Sequence, residues 1–319
     1  MPSLGVVLPT KNSKPYLPRH LLAMAEWLDL ASEVVVVDSF SIDGTLDYLR
    51  AHLPHAKTRF LSHPPGLYES WNYGLQNLTT DYAYIATAGD TITRDGLSHL
   101  LTAVEELKSD VIMSKPAFCD QQGQPGHEPH WPIDDILRRR KANGPVALHP
   151  LELVVYAATS GGGALLGSSA SNLYRTSCLR GHPFPTEYGP AGDGAWAVLH
   201  AHELRWCVTT GRFSTFLMHD KSHALAKAPL YADQLLREAL DQAVRTGTVR
   251  KTDLEAAHIP RLLTANAQWV AARDSFERDR KGRWPWSLNP AAWRRRAVRN
   301  RLSQSLLELR ETALRTLGI

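Results

Sequence analysis

The chain is poor in cysteine and has no long apolar run. Cys119, Cys178 and Cys207 are the only three in 319 residues, widely spaced and without a CxxC pair. That argues against a disulfide framework or a structural zinc site and for a reducing compartment. No stretch approaches the roughly 18 consecutive apolar residues a spanning helix needs. Met1-Pro2-Ser3-Leu4 carries no basic segment ahead of an apolar core, so no secretory signal is expected and the cytoplasm is the simplest location. Net charge is also small, at +4. With 43% hydrophobic and 21% charged residues, the composition excludes wholesale disorder, a collagen-like fibre and a coiled-coil rod. The length suits one large α/β domain with an appendage.

What is present alternates. Gly5-Val6-Val7-Leu8 reads as a buried strand emptying into Pro9-Thr10-Lys11-Asn12, and Leu17 to Leu30 has helical spacing. Val34-Val35-Val36-Val37 is apolar on both faces, as a central parallel strand requires, and ends at Asp38. Asp43 is a plausible N-cap for a helix running to Leu53. Further strands are expected at Thr58–Leu61, Tyr82–Thr87 and Val111–Met113, with helices at Leu67–Leu78 and Arg94–Leu107 between them. Such alternation predicts a mixed, mainly parallel sheet flanked by helices, with ligands outside the carboxyl ends of the strands. Pro9 to Asn12, Asp38 to Asp43 and Gly89-Asp90 all fall at those ends. Later, Asp193 to His202 reads as a helix, and Leu204–Val208 and Phe213–Met218 as strands. After about His223 the pattern is helical. The expected division is therefore an α/β domain over 1–223 and a helical extension over 224–319.

Charge is concentrated in that extension. Between Arg278 and Arg301 ten charged residues include one acid, Asp279. With Trp284, Trp286 and Trp293 among the arginines, this stretch is expected to make peripheral contact with anionic lipid. Ala297, Leu302, Leu306, Leu309, Ala313 and Leu317 would form an apolar stripe beside it. A packed terminal helix or a homodimer contact is the alternative. No nucleic-acid-binding module accompanies the arginines, so a nucleic-acid partner is not expected. Gly161-Gly162-Gly163 lacks the Lys-Ser/Thr of a P-loop and reads as a loop over a site.

Three ordered motifs carry a more specific signal: Asp38-Ser39-Phe40-Ser41-Ile42-Asp43-Gly44-Thr45, then Tyr68-Glu69-Ser70-Trp71-Asn72-Tyr73-Gly74, then Ala88-Gly89-Asp90. Together they resemble the family 2 glycosyltransferases of the GT-A fold, similar to bacterial enzymes of lipopolysaccharide and capsule synthesis. The resemblance covers roughly the first 95 residues and extends loosely to Phe184-Pro185 and Gly192-Asp193. It implies an inverting glycosyltransferase acting in cell-surface polysaccharide synthesis. The donor would be a nucleotide-sugar, UDP-linked by default, and the acceptor a glycan or a lipid-linked molecule.

Pro9, Thr10, Asn12 and Asp38, with Ser39 and Asp43, would line the nucleoside pocket. Tyr68, Asn72 and Gly89 would lie along the ribose and diphosphate. Asp90, with His219 as a second ligand, would hold Mn2+ or Mg2+ against the diphosphate. Asp193 would take the proton of the acceptor hydroxyl. From local pattern alone, Asp193 reads more readily as a helix N-cap than as a base, and His219 more readily as a structural histidine than as a ligand, with His223 as its substitute. The family's acidic Asp-x-Asp is Ala88-Gly89-Asp90 here. One carboxylate fewer should weaken cation binding, and it keeps open a non-catalytic nucleotide-sugar-binding or scaffold protein.

Overall fold

The computed structural model describes residues 2–126, 128, 131–159, 166, 168–189, 192–218, 232–280 and 290–319; within helices, the side chains of 232–235, 277–280 and 291–292 are left aside. In chain order the elements begin with β1 (Leu4–Thr10), α1 (Leu17–Ala25), β2 (Ala31–Asp38), α2 (Thr45–His52), β3 (Thr58–Ser62), α3 (Leu67–Gln76) and β4 (Tyr82–Ile85). There follow β5 (Thr91–Ile92), α4 (Arg94–Glu106), β6 (Val111–Met113), β7 (Ala117–Cys119), α5 (Pro132–Arg140), β8 (Val146–Ala147) and α6 (Pro150–Thr159). Then come β9 (Asn172–Arg175), α7 (Thr176–Gly181), α8 (Gly192–Leu199), β10 (Trp206–Val208) and β11 (Ser214–Leu217). The chain closes with α9 (Ala232–Arg245), α10 (Lys251–Ala256), α11 (Ile259–Arg280) and α12 (Pro290–Thr316).

The main sheet has the order β3-β2-β1-β4-β9-β6-β10-β8, and a smaller one the order β5-β11-β7. β3, β2, β1 and β4 run parallel, while β9 lies antiparallel between β4 and β6. This is the expected mixed α/β sheet. The chain moves outward from β1 to β3 and returns on the other side of β1 at β4, so the order reverses there and opens a crevice at the carboxyl ends.

The four-valine strand shows why the sheet is covered twice. Successive side chains point to opposite faces. Val35 and Val37 enter one buried cluster with Trp71, Tyr156 and Trp196, and Val34 and Val36 another with Leu17, Met24 and Leu100. All four are fully buried. The first cluster also takes in Leu240 of α9, Leu262 of α11 and Leu306, Ala313 and Leu314 of α12. The terminal helices thus share the sheet's own core; the expected boundary at 223 lies outside the described residues.

Part of the expected apolar stripe on α12 therefore faces protein. Leu306 and Ala313 are buried, whereas Ala297 is exposed and Leu302, Leu309 and Leu317 are half-buried. Arg310 pairs with Asp135 of α5, and Arg139 with Glu311. Trp293 remains exposed, while Trp284 and Trp286 lie outside the described residues. No helix among the described residues is long and apolar enough to cross a membrane.

Candidate active site

β1 and β2 end in register, Thr10 opposite Asp38, and parallel β4 ends five residues before Asp90. Asp38 and Asp90 therefore open on the same edge of the sheet, on either side of β1.

At the β2 mouth the motif side chains hold one another. The Asp38 carboxylate, 3% exposed, accepts from the Thr10 hydroxyl at 3.1 Å, from the Ser41 amide at 2.9 Å and from the Ser41 hydroxyl at 2.6 Å. Asn12 donates its amide to the Ser41 hydroxyl and accepts from the Ile42 amide. Half-buried Pro9 faces Val37 across the β1–β2 register. Asp43 is not the N-cap expected of it. Gly44 takes that position with φ 83°, a conformation a Cβ would strain, and Asp43 instead accepts from the Thr45 amide and hydroxyl and the Lys14 amide. Burial opposes the charge on Asp43, but the Thr45 and Lys14 donors outweigh it and hold the carboxyl below its ordinary range. The Ser39 hydroxyl lies 3.0 Å from that of Ser70, tying this turn to the start of α3.

Two residues earlier on α3, Tyr68 is 3% exposed and donates its hydroxyl to Asp193. Burial, reinforced by the Asp193 charge, keeps that phenol protonated. Asp193 sits in the first turn of α8, half-buried, its Oδ1 2.7 Å from the Gly194 amide. Burial pushes its carboxyl up to about 6, against the opposing hydrogen bonds of Gly194 and Tyr68. Gly192 makes the approach possible, since a Cβ there would lie 2.6 Å from both the Tyr68 ring and the Pro185 carbonyl. Phe184 stacks on Tyr68 at 5.6 Å, and the Asn72 amide clamps it, donating to its carbonyl at 2.7 Å and accepting from its N–H at 2.9 Å.

Asp90 lies across β1, 3% exposed. Gly89 before it has φ 101°. Asp90 accepts from the Leu217 amide at 2.8 Å and the Ser168 hydroxyl at 2.7 Å. Burial pushes its carboxyl up to about 7, with the two donors and the charge of Arg19 pulling the other way. His20, kept neutral by burial at about 4, donates Nδ1–H to the Asp90 carbonyl at 2.8 Å. Among the described residues, Asp90 belongs to no cluster of three His, Cys, Asp or Glu donors. His219 and His223 lie outside those residues. A single buried carboxyl with its charge so poorly compensated fits a hard cation that draws most of its oxygen ligands from a diphosphate and water.

The structure thus brings Pro9, Thr10, Asn12, Asp38, Ser39 and Asp43 together at one mouth. Tyr68, Asn72 and Asp193 group beside it, and Gly89-Asp90 lies across β1. Ser70, Ser168 and Gly192 belong to the same machinery without having been singled out. Ser70, inside the Tyr68–Gly74 motif, and Gly192, directly before Asp193, each left a local sign; Ser168 left none.

Residues 5–153 match the family model described as Glycosyl transferase family 2. They form a family 2 glycosyltransferase domain. This segment holds Asp38, Tyr68, Asn72 and Asp90 but ends before Asp193. No curated protein matches the chain by sequence. Among solved structures the chain is similar to S. aureus TarS 1-349 in complex with UDP, at 19% identity over 96% of this chain and 90% of that one, with a TM-score of 0.52. It is similar also to S. aureus TarS 1-349 in complex with UDP-GlcNAc, at 18% identity and the same coverage, with a TM-score of 0.53. That likeness is one of fold, and it extends past the family 2 domain through the terminal helices.

Proposed function

We propose that this glycosyltransferase moves a sugar from a nucleoside diphosphate, UDP by default, to a hydroxyl of a glycan or lipid-linked acceptor, with inversion. The observation that carries the reading is the Asp193 carboxyl, pushed up to about 6 and held by Tyr68 on the edge where Asp38 and Asp90 open. A base near the working pH is deprotonated often enough to act and basic enough to accept a proton as attack proceeds. The complexes of S. aureus TarS with UDP and UDP-GlcNAc support a uridine donor on this fold.

In this reading Asp38 builds the nucleoside wall. Among the described residues its Oδ2 accepts the Ser41 amide alone, which leaves an acceptor site for a base N–H. Pro9, Thr10, Asn12, Ser39 and Asp43 fix the turn around it. Tyr68 orients Asp193, and Asn72 acts through Phe184 by holding the acceptor-side wall in place. Asp90, with Gly89 shaping its turn and His219 two residues beyond Leu217, would hold Mn2+ or Mg2+, which supplies positive charge to the departing diphosphate. Asp193 takes the acceptor proton at its carboxylate, and in-line attack inverts the anomeric carbon without a covalent sugar–enzyme species.

Replacing Asp193 by Asn should leave nucleotide binding intact and lower kcat by about 10²–10⁴-fold. Unchanged turnover would remove the base. A second reading, a nucleotide-sugar-binding protein without turnover, is favoured by Ala88 standing where the family has its first carboxylate. In that case neither wild type nor variant turns over, although both bind.

Membrane contact, in this proposal, rests on charge: Leu306 and Ala313 are buried in the protein, and Arg294 to Arg301 lie beside exposed Trp293. The full chain should bind vesicles containing anionic lipid at low salt and release them at about 0.5 M salt, where exposed charges are screened. Arg294→Gln with Arg301→Gln should weaken that binding; salt-insensitive binding would rule it out.

A further inference from the structure

Next to the Phe184 segment lies another set of metal-ligating side chains. His182 follows α7, and His200 and Glu203 follow α8; one donor atom from each lies within 4.8 Å of the others. His200 Nδ1 is 2.5 Å from Glu203 Oε2, His182 Nδ1 is 3.7 Å from the same oxygen, and the two imidazole centroids are 4.4 Å apart. His182 is anchored from behind, its carbonyl accepting from the indole of fully buried Trp196 at 2.7 Å. Beside the cluster opens a cavity of about 530 Å³ lined by His200, Glu203, Phe184, Thr186, Gln242 and Thr246.

We propose that His182, His200 and Glu203 bind a transition-metal dication of the zinc class, with one coordination position open to this cavity. Two imidazole nitrogens and one carboxylate oxygen suit Zn2+, Co2+ or Ni2+ rather than Mg2+ or Ca2+. Three protein donors with a free position is an established zinc geometry. Bonds of about 2.0–2.2 Å in a tetrahedron put donor atoms about 3.3–3.6 Å apart. To reach that spacing Glu203 moves off His200 and toward His182, and the two imidazole nitrogens, now within 4.8 Å of each other, adjust to it. The side chains are 34%, 19% and 39% exposed for His182, His200 and Glu203, so an ion reaches them from solvent. Such an ion would staple the entry of the 182–187 segment, which carries Phe184, to the end of α8. It is separate from any cation at Asp90 and does not depend on the proposed transfer reaction.

The test uses the full chain without an affinity tag, stripped with a chelator and titrated with Zn2+ alone by calorimetry and with Co2+ by visible absorption. One equivalent of Zn2+ should bind, and the Co2+ form should show the intense visible bands of a tetrahedral site. His200→Ala should weaken Zn2+ binding by at least the about 10–100-fold seen for loss of an outer partner. Glu203→Gln, at a more exposed position, should do the same with the circular dichroism unchanged. Asp90→Asn should leave Zn2+ binding as it was. No Zn2+ uptake at millimolar concentration, or affinity retained when His182 and His200 are both replaced by Ala, or loss of binding in Asp90→Asn instead, overturns the site.

Discussion

Asp43 and Asp193 are both acids beside the first turn of a helix, at the same edge of one sheet, yet they are driven in opposite directions. Asp43 receives three donors from Thr45 and Lys14, and its carboxyl is held below the usual range. Asp193 receives the Gly194 amide and the Tyr68 hydroxyl, and burial lifts it to about 6. Asp90, with two donors and almost no exposure, is lifted further, to about 7. Hydrogen-bond supply against burial separates the carboxylates that build the edge from those left with unmet demand, for a proton or a cation.

Next to the loss expected for Asp193→Asn, the largest effect should come from Asp90→Asn. If Asp90 meets a cation that stabilises the departing diphosphate, turnover should fall by about 10²-fold or more, and the response to added Mn2+ should flatten. A variant as active and as Mn2+-responsive as wild type would place Asp90 with Asp43, as a builder.

Next is the pH profile at saturating cation. A base acts only when deprotonated, so with the folded value raised to about 6 the rate should be level above pH 7. Below about 6 it should drop about tenfold per unit. The break should move if Tyr68 is replaced by Phe, since its hydrogen bond is one of those restraining Asp193. A profile flat down to pH 5 would separate Asp193 from proton transfer.

The smallest effect is expected at Asp43. Asp43→Ala should cost about 1 kcal/mol of stability at pH 7, the scale of a lost helix cap, with kcat little changed. Because its folded pKa is depressed, the contribution is present above the unfolded value of 3.8 and lost as pH falls through the folded one. Thermal unfolding of variant and wild type should therefore converge in strong acid. A loss of turnover without a loss of stability would move Asp43 to the reactive side.

Local pattern carried most of the parallel half. The four valines of β2 and the turn after them declare a central strand and its mouth, because burial on both faces leaves a continuous apolar run. α6 was hidden for the opposite reason: Leu151 to Ala158 is buried on every side, so it has no polar face to set a helical period. β9 was hidden because its partners, β4 and β6, are distant in sequence. Within the site, Asp38 and Asp90 were legible as acids at strand ends, but their partners were not. Ser168 reaches Asp90 across 78 positions, and Tyr68 meets Asp193 from another helix. Asn72 lies on the expected helix, but its amide holds the Phe184 backbone, a bond between residues 112 apart.

Leu306, Ala313 and Leu314 lie in the same buried cluster as Val35 and Val37 of the central strand. The last turns of the chain are therefore a wall of the catalytic half, and trimming them would yield an opened molecule with its interior wetted, not a smaller working enzyme.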